Sequence, residues 1–195
     1  MIDSLLLGFN KIKDGLHMYG SSLKYFEKKY QSDCLLTLHR PSNADDKRTF
    51  NGIWKAIEKL SKTIPVLFPA HPRTLDRLKR IGIKSTTDTI RIVEPLGYLD
   101  MISTINGAKL AITDSGELQG ETTFLGIPCL TIRDTAERPC TVTIGTNCLV
   151  GTDNRKIYEK AIEAISGKWK KGDIPPLWDG KAVERIAERI IKIAQ

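Results

Sequence analysis

Short apolar runs that alternate with helical repeats are the feature that most restricts how this chain can fold. Cys34 to Leu38, Ile64 to Phe68 (closed by Pro69), Ile90 to Val93, Leu110 to Ile112, Pro128 to Ile132 and Asn147 to Val150 read as strands. Most are continuously apolar rather than alternating, as strands buried on both faces are. Between them, Phe50, Ile53, Trp54, Ile57 and Leu60 recur at three and four residues, the stripe of an amphipathic helix. Arg73 to Ile81, Tyr98 to Ile105 and Glu117 to Leu125 read as further helices, and Ile2 to Tyr30 as a helix interrupted at Gly15 and Gly20. Two helices close the chain, the last carrying Val183, Ile186, Ala187, Ile190, Ile191 and Ala194 on one face. This alternation predicts an α/β fold: a Rossmann-like parallel sheet with helices on both faces. The 195 residues fit one domain, 1–195.

Composition narrows the function classes. No run approaches the ~20 apolar residues of a membrane span, and no basic-then-apolar leader opens the sequence. The expectation is a cytoplasmic protein without a membrane partner. Thirty basic and 23 acidic residues leave a formal charge of +7, which suits an anionic partner without specifying it. Much of that charge, as in Glu27-Lys28-Lys29 and Arg185 to Lys192, reads as solvated helix surface. Basic residues interleaved with exposed aromatics are missing, so nucleic-acid binding is not expected. Cys34, Cys129, Cys140 and Cys148 form no CxxC pair or zinc spacing. Cys34 and Cys129 read as reduced core thiols, and no metal site is expected.

In a parallel sheet, ligands bind beyond the carboxyl ends of the strands. Four strand ends here carry polar clusters: His39-Arg40-Pro41-Ser42-Asn43, His71-Pro72-Arg73, Thr113-Asp114-Ser115-Gly116, and Arg133 to Pro139. The third has the clearest physical logic. A strand, a small-residue turn and a helix start leave unpaired N–H groups at the positive end of the helix dipole, a ready phosphate site. Gly116 permits close approach, and Ser115 adds a hydroxyl. Asp114 or Ser115 can equally serve as a plain N-cap before a core helix. Glu121, about one turn further on, is placed to accept hydrogen bonds from ribose hydroxyls, or is an ordinary helix glutamate. His39 and His71 follow neighbouring strands and suit hydrogen bonding or proton exchange with a diphosphate. His17 lacks such a context and reads as surface. Neither GxGxxG nor Walker spacing occurs.

Taken in order, Leu36-Thr37-Leu38-His39-Arg40-Pro41-Ser42-Asn43, Pro69-Ala70-His71-Pro72-Arg73, Thr113-Asp114-Ser115-Gly116, and Arg138-Pro139 through Gly145-Thr146 to Leu149-Val150-Gly151 closely resemble the C-terminal half of the non-hydrolysing UDP-N-acetylglucosamine 2-epimerases. The resemblance runs from about Ile2 to the end and includes Trp178-Asp179-Gly180-Lys181. It implies half of a fold like that of the GT-B glycosyltransferases, with the active site between two Rossmann-like domains. It also implies interconversion of UDP-N-acetylglucosamine and UDP-N-acetylmannosamine without a cofactor, by elimination of UDP to a 2-acetamidoglucal and its re-addition. Residue by residue, Ser115 and Gly116 match the diphosphate loop and Glu121 the ribose-binding glutamate. Pro95 to Met101, with Tyr98, match the region that holds uracil, and His39 matches a histidine implicated in activity. Arg40, His71 and Arg138 match residues bordering the ligand cleft. The partners so implied are UDP and UDP-N-acetylhexosamine.

Two positions depart from the family pattern. Where relatives read Ser-Gly-Gly and Gln-Glu-Glu, this chain has Ser115-Gly116-Glu117 and Gln119-Gly120-Glu121. Glu117 brings a carboxylate to the phosphate loop, and Gly120 inside a helix costs about 0.5–1 kcal/mol against Ala. The family's acid and base carboxylates belong to an N-terminal half that this sequence does not contain. The expectation is therefore a chain that binds UDP weakly, is inactive alone, and has a possible separately encoded N-terminal domain as partner. A UDP-sugar glycosyltransferase subunit and a non-catalytic nucleotide-sugar-binding remnant are the alternatives.

Overall fold

The computed structural model describes residues 1–13, 33–80, 82–83 and 87–194. His17, Gly15, Gly20 and the remainder of the first predicted helix lie outside the described residues. Nine helices and six strands follow one another among those residues: α1 (Ile2–Lys13), β1 (Cys34–Thr37), α2 (Pro41–Ala44), α3 (Lys47–Ser61), β2 (Val66–Pro69), α4 (Pro72–Arg80), β3 (Ile90–Val93), α5 (Tyr98–Gly107), β4 (Leu110–Thr113), α6 (Gly116–Leu125), β5 (Cys129–Thr131), α7 (Cys140–Thr143), β6 (Asn147–Leu149), α8 (Asn154–Ile165) and α9 (Ala182–Ala194). All strand pairings are parallel, in the order β3-β2-β1-β4-β5-β6. The expected Rossmann-like α/β sheet is therefore present. β1 and β4 lie side by side, yet the chain leaves them toward opposite edges. That switch point opens a crevice at their carboxyl ends.

The period-2 geometry of a strand divides the core into two layers. Cys34 and Leu36 of β1, Val66 and Phe68 of β2, and Leu110 and Ile112 of β4 pack under α3 and α8. Leu35, Ala111 and Cys129 face the other way, with Ile105 of α5 and Leu118 of α6. The predicted stripe Phe50, Ile53, Trp54, Ile57 and Leu60 is buried in full. Asp46 caps α3, its carboxylate accepting the Thr49 N–H at 2.7 Å. On the second face α1 lies against α5 and α6.

The boundaries differ from the sequence reading for local reasons. Ile64 closes the turn after α3, its N–H donating to the Leu60 carbonyl at 3.1 Å. β2 therefore starts after Pro65, and Pro69 is its last residue rather than its stop, a place where a missing N–H is tolerated. The one-turn helices α2 and α7 leave no signature in the sequence, because four residues are too few to show a period. Gly120 does not merely weaken α6: a side chain there would meet the Met1 thioether and the Trp178 ring. The small residue lets α1 and the segment before α9 close over the helix. Cys34 and Cys129 are buried, free thiols, and burial pushes the Cys129 thiol up to about 11. Helix α9 has no buried residue, and Val183, Ile186, Ile190 and Ile191 of its predicted apolar face are all exposed.

Candidate functional site

The carboxyl ends of β1 and β4 are tied together by one buried residue. Their last residues are in register, and the Thr37 and Thr113 hydroxyls share a hydrogen bond of 2.6 Å. The Asp114 side chain, with 0% exposure, then turns back toward β1. It accepts the His39 N–H at 3.2 Å, the Arg40 N–H at 3.0 Å and the Asn43 side-chain amide at 3.2 Å. Its carboxylate also pairs with His39 Nδ1 at 2.9 Å. Burial by itself would push the Asp114 carboxyl up, but these donors outweigh it and hold it below its ordinary value. The same hydrogen bond raises the His39 pKa, against opposing desolvation. With Nδ1 on Asp114, the other ring nitrogen of His39, Nε2, is left on the far side of the ring from that carboxylate.

Because Asp114 is engaged with β1, it does not cap α6. Ser115 occupies the N-cap position with extended backbone and makes no side-chain capping bond. The simple-cap alternative therefore fails for both residues, and the first turn of α6 presents its N–H groups unshielded by a cap.

A cavity of about 250 Å³ opens above this junction. Of the residues singled out in the sequence, His39, His71, Pro95, Tyr98, Met101, Ser115, Glu117 and Glu121 all line it. The His71 end is fixed by Thr74, whose hydroxyl donates to the Leu38 carbonyl at 3.0 Å and ties α4 to the end of β1. Arg40, Gly116 and Arg138 lie at the rim rather than in the lining. Arg40 Nε donates to the Asp114 carbonyl at 3.0 Å, and Arg138 donates to the Gly116 carbonyl at 2.9 Å. Glu121 is 6% exposed, and burial raises its carboxyl to about 7. Tyr98 donates a hydrogen bond that opposes this, while the nearby Glu117 charge adds to it. Burial and the two carboxylates in turn raise the Tyr98 phenol to about 12. Glu117 lines the cavity rather than turning away from it, so the carboxylate that departs from the family pattern does face the crevice.

Several contributors stand in the sequence only as members of a motif, polar cluster or helix, with no individual role assigned. Thr37, Leu38, Pro69, Leu96 and Leu118 complete the lining, and Asn43, Arg133 and Glu137 belong to the surrounding network. Leu96 was within reach, lying inside the stretch from Pro95 to Met101. Glu137 had no signal beyond a polar loop. No cluster of potential metal ligands occurs among the described residues, and none of their helices is long and apolar enough to cross a membrane.

The family model described as UDP-N-acetylglucosamine 2-epimerase matches residues 1–191. The chain belongs to the UDP-N-acetylglucosamine 2-epimerase family. Among its relatives is the UDP-N-acetylglucosamine 2-epimerase of Methanocaldococcus jannaschii, 42% identical over 162 residues that cover 78% of this chain and 42% of that protein. A UDP-2,3-diacetamido-2,3-dideoxy-D-glucuronate 2-epimerase of Pseudomonas aeruginosa is 38% identical, covering 82% of this chain and 44% of that protein. The crystal structure of the Methanocaldococcus jannaschii UDP-GlcNAc 2-epimerase in complex with UDP-GlcNAc and UDP superposes with a TM-score of 0.78 at 31% identity, covering 96% of this chain and 52% of that one. This family member thus spans about half the length of the relatives it matches. Its sheet corresponds to one half of their GT-B-type architecture.

Proposed function

We propose that this chain is the UDP-binding half of a UDP-N-acetylglucosamine 2-epimerase. The observation that carries the reading is the convergence of His39, Ser115 and Glu121 on one cavity at the β1/β4 switch point, in a chain of this family. The uncapped first turn of α6 suits the diphosphate, with Ser115 and Arg40 as donors. Glu121 lies about one turn along the same helix, where a carboxylate accepts from ribose hydroxyls. Pro95, Tyr98 and Met101 offer apolar and aromatic surface for a base.

In the elimination, the bond from C1 to the diphosphate oxygen breaks and its electron pair leaves with UDP, while C2 gives up its proton. His39, whose pKa is raised by its hydrogen bond to Asp114, is placed to stabilise the departing diphosphate through Nε2. Re-addition of UDP uses the same groups in reverse. The resemblance assigns the base and acid at C2 to an N-terminal half, so this reading takes a separate N-terminal domain as partner. The unpartnered apolar face of α9 accords with such a partner. Alone, the chain binds UDP weakly and does not epimerise. Glu117 in the lining favours the second reading, a nucleotide-sugar-binding module without catalysis, because like charge at the phosphate loop weakens anion binding.

Calorimetric titration with UDP tests the proposal. Wild type is expected to bind weakly and Glu117→Gly more tightly. Absence of binding by both contradicts an intact nucleotide site, and epimerisation of UDP-N-acetylglucosamine by this chain alone contradicts the need for a second domain.

A further inference from the structure

The anion site at the start of α6 is not empty of anions, because a side chain of the same protein sits there. Glu137 lies in the loop between β5 and α7, and its carboxylate rests against the open side of Gly116, where a side chain at 116 would run into it. Arg40 pairs with that carboxylate from the β1 end, and Arg133 donates to it at 2.8 Å. Arg138, the next residue, holds the Gly116 carbonyl at 2.9 Å. Two guanidinium groups from two strand ends therefore hold one carboxylate at the N-terminus of a ten-residue helix, with the Arg138 charge nearby. The Arg133 hydrogen bond keeps the Glu137 carboxyl below the usual range, so it carries its charge at neutral pH.

We propose that Glu137 is an internal occupant of the phosphate subsite, a gate that a diphosphate must displace before it can reach Gly116 and Arg40. This rests on the UDP-binding reading above and adds a competitor to it. A carboxylate offers two oxygens in a plane and matches the arginine fork as a phosphate edge does. Its carboxylate takes guanidinium on one side and lies against Gly116, the first residue of α6, on the other. Glu137 is 41% exposed, and a side chain so exposed swings out without unpacking the core. When it leaves, Arg40 and Arg133 lose their internal anion and are free to close on the ligand. The gate acts on the phosphates alone: Glu121 lies further along α6 and Tyr98 opens α5, whereas the Glu137 carboxylate is held by Arg40 and Arg133.

Titration of wild type, Glu137→Gln and Glu137→Ala with UDP, inorganic pyrophosphate and uridine separates the possibilities. Exposed ion pairs are worth up to about 1 kcal/mol, so both variants should bind UDP and pyrophosphate about fivefold more tightly than wild type. Uridine, which has no phosphate, should bind all three alike. Unchanged or weaker binding of UDP and pyrophosphate by the variants would mean that Glu137 only scaffolds the arginines, and the gate is overturned while the UDP reading stands. Tighter uridine binding overturns it as well, by placing the effect outside the phosphate subsite. If no protein binds any of the three ligands, both the gate and the UDP reading are overturned.

Discussion

Replacing Glu121 by Gln should make the protein more stable at pH 8 and weaken its nucleotide site. The side chain is 6% exposed, and burial raises its carboxyl from 4.5 to about 7. Below pH 4.5 the group is protonated in both the folded and the unfolded chain, so it contributes no pH dependence. Between 4.5 and 7 the unfolded chain ionises while the folded one keeps its proton, and stability falls as pH rises. Above pH 7 the folded chain carries a buried carboxylate beside Glu117. At about 1.4 kcal/mol for each pH unit, the full loss is about 3 kcal/mol. A Gln of the same shape still accepts the Tyr98 hydrogen bond and never ionises. Urea denaturation of wild type and Glu121→Gln at pH 5 and pH 8 measures this directly. The variant should be nearly equal in stability at pH 5 and more stable by about 2–3 kcal/mol at pH 8, with UDP affinity reduced because an amide oxygen is a weaker acceptor for paired hydroxyls. An equal difference at both pH values, or a less stable variant at pH 8, would refute the assignment of a buried, proton-retaining carboxylate.

Two further perturbations test a pairing in the site and a close packing elsewhere in the fold. Asp114→Asn removes the carboxylate that holds His39 Nδ1 at 2.9 Å, so the His39 pKa should fall toward 6.5, read from imidazole proton shifts in an NMR titration. The stability that this pair provides is complete below pH 6.5 and is lost as pH rises through the elevated His39 value, so Asp114→Asn should cost more at pH 6 than at pH 9; a cost independent of pH would contradict the pairing. Gly172→Ala would place a Cβ 2.5 Å from the Gly145 carbonyl carbon and 2.6 Å from the Thr146 nitrogen. Backbone atoms cannot swing aside, so the substitution should cost about 1–3 kcal/mol in denaturant unfolding, whereas a melting temperature equal to wild type would mean the segment is free to move.

The sequence by itself determined the architecture, because periodicity is a local property. The continuous apolar runs specified strands covered on both faces, and the stripe from Phe50 to Leu60 specified the helix that α3 became. The ordered motifs around His39, His71, Ser115 and Glu121 also marked the strand ends that converge on the cavity. Short elements escaped this reading, since α2 and α7 are one turn each and leave no period. Tertiary structure alone decided which of the polar residues act on which. Asp114 read equally as a helix cap, and only the pairing of β1 with β4 brings His39 and Arg40 onto its carboxylate, 75 and 74 residues away in the chain. Nothing in the sequence around Glu137 distinguishes it from any loop glutamate. Its position over Gly116 depends on β5 lying next to β4, which carries that loop back across the start of α6. Strand order is set by which faces bury together across the whole sheet, a global balance that no local window contains, and so the partners of the site's carboxylates are a property of the folded sheet.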